Sequence, residues 1–116
     1  MHELSIAMSI VDIVLEEAAG HHAKRVSKVE IEIGSQAGIV YDALVFAMDE
    51  AVRDTLLEKA ELAYHFIDAV SVCQECCHEF KPEFHYAACP LCNSFQTYVI
   101  QGKELKVKSI DIETID

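Results

Sequence analysis

Cys73-Gln-Glu-Cys76 and Cys89-Pro-Leu-Cys92 are two Cys-x-x-Cys knuckles separated by twelve residues. Two intervening residues let both sulfurs of a knuckle reach one ion while backbone N–H groups turn toward the thiolates. Two knuckles together supply four soft thiolates, the donor set of a tetrahedral Zn²⁺ site. Four thiolates fill the shell and leave no position for water, so this site is expected to be structural rather than catalytic. The competing reading is four free thiols in an apolar pocket. It is poor, because so short and polar a segment cannot order itself without a staple. An iron–sulfur or redox reading is also weaker, since a thioredoxin-like Cys-x-x-Cys stands singly at a helix start whereas these come as a pair in a loop. The fifth cysteine, Cys77, is left over and is expected to point away from the metal. His78 and His85 are expected to be exposed loop residues; the alternative is that they replace a thiolate or tune the site from outside it.

Met1-His2-Glu3 is the second group with chemistry in it. Initiator-methionine removal requires a small second residue, so His2 should leave Met1 with a free α-amine. That amine and the His2 imidazole titrate near about 8 and 6.5, so both can be neutral donors near neutral or slightly alkaline pH. They flank the His2 amide nitrogen, and the three can wrap one ion in fused chelate rings once that amide deprotonates. The Glu3 backbone amide or carboxylate can complete the set. A nitrogen-rich tetragonal arrangement suits Ni(II) or Cu(II). The plain alternative is a histidine at a frayed terminus, with Glu3 favouring the positive end of a helix dipole. His21-His22 reads as a solvated helix end, and His65 as a satisfied sheet residue.

These residues must be positioned by a small set of elements. Leu4, Ala7, Met8, Val11, Leu15 and Ala18 recur at helical spacing over residues 4–19, with Gly20 as a C-cap. Val29, Ile31 and Ile33 alternate with Lys28, Glu30 and Glu32, the pattern of a strand with one buried face. A second helix is predicted over Tyr41 to Leu57, on a stripe of Leu44, Ala47, Met48, Ala51 and Val52. A second strand is predicted over Leu62 to Val72 and a third over 105–113. In the third, Leu105 and Val107 are in one phase and Ile110 and Ile112 in the other, which predicts a bulge near Lys108 and Ser109. The expected fold is α+β: a small three-stranded sheet covered by two helices, with an inserted zinc-ribbon-like domain. The predicted division is a discontinuous domain, 1–72 plus 99–116, and a zinc-binding domain, 73–98. Both prolines, Pro82 and Pro90, fall in the insertion.

Composition excludes several function classes. The chain has 116 residues, 20 acidic and 9 basic, for a formal net charge of −11. Nucleic-acid affinity is mostly Lys/Arg neutralisation of phosphate, and the cysteine-rich segment offers only Lys81. A protein partner fits this acidity better. At 52% hydrophobic, the chain is not a disordered acidic tail. The longest clean apolar run, Ala43–Met48, is far short of the ~20 residues a membrane helix needs. Glu3 and Asp12 interrupt the N-terminal apolar region, so no signal peptide is expected. Five crowded cysteines without a leader point to reduced thiols in the cytoplasm. A zinc hydrolase would need an open metal position and a His- or carboxylate-rich ligand set, neither of which is found.

With both groups in hand, the chain closely resembles the HypA/HybF family of hydrogenase-maturation nickel chaperones. The resemblance runs from Met1-His2-Glu3-Leu4-Ser5 through Gly34 and the two knuckles to Gly102-Lys103-Glu104-Leu105. It implies a nickel metallochaperone, not an enzyme, with a nickel domain and a small zinc domain. The nickel ligands it implies are the Met1 amine, the His2 backbone amide and imidazole, and the Glu3 backbone amide, with the Glu3 side chain as a selectivity group. Zinc maps onto Cys73, Cys76, Cys89 and Cys92. The implied partners are the GTPase HypB and the hydrogenase large subunit, and for some members urease and its accessory proteins. Monomer and strand-exchanged dimer are both compatible with the pattern. The alternative from another class is a zinc-ribbon protein-interaction adaptor that carries no transported metal.

Overall fold

The computed structural model describes residues 3–82 and 87–114. The order of elements is α1 (Glu3–Gly20), β1 (Ala23–Gly34), α2 (Tyr41–Ala51), β2 (Glu61–Ile67), β3 (Val70–Cys73), β4 (Glu79–Phe80), β5 (Thr97–Gln101) and β6 (Leu105–Thr114). Two three-stranded sheets result, one in the order β2-β1-β6 and the other β4-β3-β5. The fold class is mixed α+β, as the sequence pattern predicts. Among the described residues no helix is long and apolar enough to cross a membrane.

Helix α1 buries Ile6, Ala7, Ile10, Val11, Val14 and Ala18. The expected stripe had included Leu4 and Met8, which are 51% and 55% exposed. The row at four-residue spacing through Leu4 and Met8 continues into Asp12 and Glu16, whose charges resist burial. The row through Ile6, Ile10, Val14 and Ala18 meets no charge, and it faces the core. The helix does not end on a glycine cap either. Gly20 is its last helical residue, and His22 takes the left-handed conformation at φ 55°. There the N–H groups of His21 and His22 donate to the carbonyls of Ala18 and Ala19.

Helix α2 packs against α1 and buries Leu44, Ala47 and Met48. It stops at Ala51, short of the predicted Leu57. Asp54 enters the left-handed region at φ 60°. The Thr55 hydroxyl then donates to the Val52 carbonyl at 2.6 Å and accepts the Leu57 N–H at 3.0 Å. This side-chain turn replaces helical bonding while keeping Val52 and Leu57 buried.

Strand β1 shows the predicted alternation: Val29, Ile31 and Ile33 are buried, and Lys28, Glu30 and Glu32 are partly exposed. The predicted strand from Leu62 to Val72 is in fact two, because the chain turns at Asp68 and Ala69 and passes into the other sheet. Along β6, partial burial follows Leu105, Val107 and Ser109 and then changes phase to Ile110 and Ile112.

The chain divides into two compact units. Unit 1 contains residues 1–31, 39–65 and 106–116; unit 2 contains 32–38 and 66–105. In unit 1, Glu30 Oε1 receives a bond from His65 Nε2 at 2.9 Å and Glu30 Oε2 accepts the Ser109 hydroxyl. These bonds hold the Glu30 carboxyl below the usual carboxylate range, Ser109 contributing most and His65 next. Tyr64 stacks edge-on against Tyr41 at 5.6 Å, and burial pushes its hydroxyl up to about 12.

In unit 2 the segment after β1 is latched to the segment before β6. Gly34 N–H donates to the Glu104 carbonyl and Gln36 N–H to the Gly102 carbonyl, both at 2.7 Å. A Cβ on Gly34 would fall 2.1 Å from the Gly102 carbonyl carbon. Gly102 itself has φ +110°, and its Cβ would lie 2.4 Å from the Ala69 Cα. Only glycine meets both requirements, the close approach and the positive φ.

Candidate metal centre

The sulfurs of Cys73, Cys76, Cys89 and Cys92 all lie within 4.8 Å of one another. Two separations that run between knuckles, Cys73 to Cys92 and Cys76 to Cys89, are both 3.6 Å. A tetrahedral ion with bonds of about 2.3 Å places its sulfurs about 3.8 Å apart. The four sulfurs therefore fit one ion of that size, each knuckle giving two corners.

The two knuckles have the same backbone design. Cys77 N–H donates to the Cys73 carbonyl at 2.9 Å, and Asn93 N–H to the Cys89 carbonyl at 2.8 Å. Cys77 and Asn93 both take the left-handed conformation, at φ 63° and 62°. Each chain then doubles back, so that Cys73 N–H donates to the His78 carbonyl and Cys89 N–H to the Ser94 carbonyl. This turn lets sulfurs three residues apart converge. It also gives Cys77 a backbone role that the sequence reading did not assign: it occupies the turn position that Asn93 fills in the other knuckle. Asparagine tolerates the left-handed region well, and its place after the second knuckle was the available signal.

Contacts with β5 and the residue before it seat the knuckles. Val72 and Cys73 of β3 pair with Tyr98 and Thr97 of β5. The Gln74 N–H continues that ladder to the Gln96 carbonyl at 2.8 Å. The Thr97 hydroxyl donates to the Ala87 carbonyl at 3.0 Å, ahead of the second knuckle. Cys73 and Cys89 are fully buried, while Cys76 and Cys92 are exposed.

The thiols do not titrate alike. The Cys76 N–H, then the Glu75 N–H and the neighbouring thiols, pull Cys73 down to about 7. At Cys76 the His78 N–H favours the thiolate, but desolvation of its part-buried sulfur and the Cys89, Cys73 and Cys92 sulfurs outweigh it and push the group up to about 12. Cys92 is raised as well: the Ser94 N–H opposes the shift, and the Cys73 sulfur and burial prevail. One thiolate forms readily and disfavours the next. Four at this spacing call for a cation among them.

Cys77 is exposed and outside the tetrad. The His78 ring stacks on Phe80, with centroids 6.2 Å apart and planes within 14°. His85 lies outside the described residues, as do Met1 and His2. Glu3 is the first residue of α1, where its carboxylate complements the helix dipole.

A family model described as hydrogenase/urease nickel incorporation, metallochaperone, HypA, matches residues 1–112. The chain belongs to the HypA family. HypA proteins are metallochaperone maturation factors rather than catalytic enzymes. Among the relatives, a hydrogenase maturation factor HypA from Chlorobium limicola is 45% identical over 116 residues, covering all of both chains. Another, from Chlorobium phaeobacteroides, is 43% identical over 113 residues, covering 97% of this chain and 100% of the relative. The solution structure of the Ni metallochaperone HypA from Helicobacter pylori superposes with a TM-score of 0.73 at 26% identity, covering 99% of this chain and 100% of that one.

Proposed function

We propose that this HypA-family chain carries Ni(II) at its N-terminus and hands it to an immature [NiFe]-hydrogenase. In this reading the cargo ion is held by the Met1 amine, the His2 amide and imidazole, and the Glu3 backbone amide, with the Glu3 carboxylate adding selectivity. Cys73, Cys76, Cys89 and Cys92 hold a structural Zn²⁺. The discontinuous domain, 1–72 plus 99–116, does the carrying, and 73–98 is the zinc domain. Together with a partner GTPase, HypB, it delivers the ion to the hydrogenase large subunit in the cytoplasm; urease accessory proteins are the further partners that a hydrogenase/urease family allows.

The observation that carries this reading is the match to a nickel-incorporation family over residues 1–112, in a chain that opens Met1-His2-Glu3. The donor chemistry supports it: amine, deprotonated amide and imidazole form a tetragonal nitrogen set suited to Ni(II). The same chemistry allows release, because protons compete for the amine and imidazole and weaken binding as pH falls. The thiolate tetrad is a softer, closed set and is suited to an ion that stays.

Calorimetry on untagged protein tests the assignment. His2→Ala should abolish the high-affinity Ni(II) site and leave zinc content at one per chain. Nickel binding retained in that variant would overturn the N-terminal site. Residues added ahead of Met1 convert its amine to an amide and should have the same effect. A chain that holds zinc and never nickel would instead be the protein-binding adaptor.

A further inference from the structure

Strand β6 lies at one edge of the sheet β2-β1-β6 and pairs with β1 alone among the described residues. Its charges are divided along its length. Lys106 and Lys108 stand in the first half, Asp111 and Glu113 in the second. Strict alternation would put Lys108 and Asp111 on opposite faces. The phase change between Ser109 and Ile110 instead turns all four charged residues to one side and leaves Val107, Ile110 and Ile112 on the other. Glu113 already accepts a hydrogen bond from Arg25 at 2.7 Å. Among the described residues the side chains of Lys106, Lys108 and Asp111 make no ion pair.

The apolar side of β6 is incomplete. Val29 and Ile31 of the neighbouring β1 are fully buried, whereas no residue of β6 is. A groove of about 320 Å³ runs between the two elements at this edge, lined by Ile13, Val14 and Glu17 of α1 and by residues 107–110 of β6. Ile13 is 57% exposed there. The groove opens at the midpoint of the strand, where the phase changes.

The order of charges selects the occupant. A lysine on a sheet edge ordinarily keeps other strands away. Two cations followed by two anions are complemented by a strand of the same order running the opposite way, and β6 of a second copy is such a strand. The other edge of the sheet, β2, cannot serve: Glu61–Ile67 contains one Glu and no Lys or Arg.

We propose that β6 pairs antiparallel with β6 of a second copy, about a twofold axis between Ser109 and Ile110, joining two three-stranded sheets into one of six. In that register Lys108 faces Asp111 and Lys106 faces Glu113, and the symmetry makes each opposition twice. Val107 faces Ile112 on the other side of the sheet. The two phase changes fall on the axis and match each other, so the register holds across it. The grooves beside α1 meet at the same axis, and Ile13 of each copy gains cover. Each copy carries a net charge of −11. Salt at physiological strength screens charges separated by more than about 8 Å, while directly opposed pairs keep more of their attraction.

Sedimentation of the full, zinc-loaded chain up to the millimolar range tests this and should show a monomer–dimer equilibrium. Hydrogen exchange within β6 should slow as concentration rises. Lys108→Glu and Asp111→Lys each set like charges opposite one another at two points, and each should weaken dimerisation by about tenfold or more, with zinc content unchanged. An equimolar mixture of the two variants restores both oppositions and should form a heterodimer about as tight as the parent dimer. Mere damage to the fold would not be rescued in this way. A chain that stays monomeric at millimolar concentration would overturn the proposal. So would a dimer indifferent to both charge reversals, or a mixture that associates no better than either variant alone.

Discussion

Unit 1 and unit 2 are built on different kinds of core. Unit 1 buries branched and long aliphatic side chains from every direction: Ile10 and Val14 of α1, Leu44 and Met48 of α2, Val29 and Ile31 of β1, and Leu57 of the turn after α2. Unit 2 buries Ile33, Ala69, Cys73 and Cys89, with Ser71 between them. Leu91 is 69% exposed and Phe95 77%, and Val72, Phe80 and Val99 are only half-buried. Unit 1 can therefore be held by the hydrophobic effect, at roughly 25 cal/mol per Å² of apolar surface removed from water. Unit 2 has too little of that to offset the entropy of ordering its loops. Its centre is the sulfur tetrad, where a bound metal ion would take the place of the missing aliphatic core. Short β4, the two knuckles and the pairing of β5 with β3 alone among the described residues all follow from a segment organised around one point rather than along a buried face.

The comparison is broken most severely by removing the ion. A chelator that strips zinc should collapse the amide dispersion of β3, β5 and both knuckles, while α1, α2 and the centre of β1 keep theirs. Zinc sites of this type contribute roughly 10–16 kcal/mol of apparent binding energy at pH 7. Hydrogen exchange on the apoprotein checks this, and cooperative loss of both units would show that the tetrad supports more than its own surroundings.

The reverse experiment is smaller. Leu44→Ala removes a fully buried side chain from unit 1 and should cost about 2–5 kcal/mol in denaturant unfolding. Zinc content and the β3–β5 amides should be unaffected. Fading of those amides in step with the helices would mean that the two cores are one.

The smallest effect is a pH dependence confined to unit 1. Ser109, and then His65, hold the folded Glu30 carboxyl below its unfolded value. A lowered folded pKa means that the stabilisation is present above the unfolded pKa, near 4.3, and is lost as pH falls through the folded one. Glu30→Gln should therefore flatten the fall in unit 1 stability between about pH 5 and 3. An unchanged slope would assign the acid sensitivity to other carboxylates.

The tetrad and the β1 face were legible in the primary structure because each rests on a short-range pattern. Cys-x-x-Cys spacing brings two sulfurs together within one turn, and strand alternation is a period of two. The helix faces were harder. In α1 two apolar rows overlap, and the charges of Asp12 and Glu16 decide which one is buried. The end of α2 depends on the Thr55 hydroxyl replacing helical bonds, a local competition that apolar periodicity does not register. The break between β2 and β3 left a single signal, Asp68, inside an otherwise apolar run from Phe66 to Val70.

What the sequence alone determined was the chemistry on offer: four thiolates for a closed site, and the neighbouring imidazole and carboxylate of His2 and Glu3. Those properties belong to residue types and to separations of a few bonds. The tertiary structure decided where the chain changes sheet. Ala69 meets Gly102, and Gly34 meets the same glycine from the other side of the sequence. That fit requires absent Cβ atoms at positions 68 residues apart in the numbering, and no local pattern encodes it. The β6 edge is decided in the same way, since a strand is central or exposed only by virtue of what the rest of the chain places beside it.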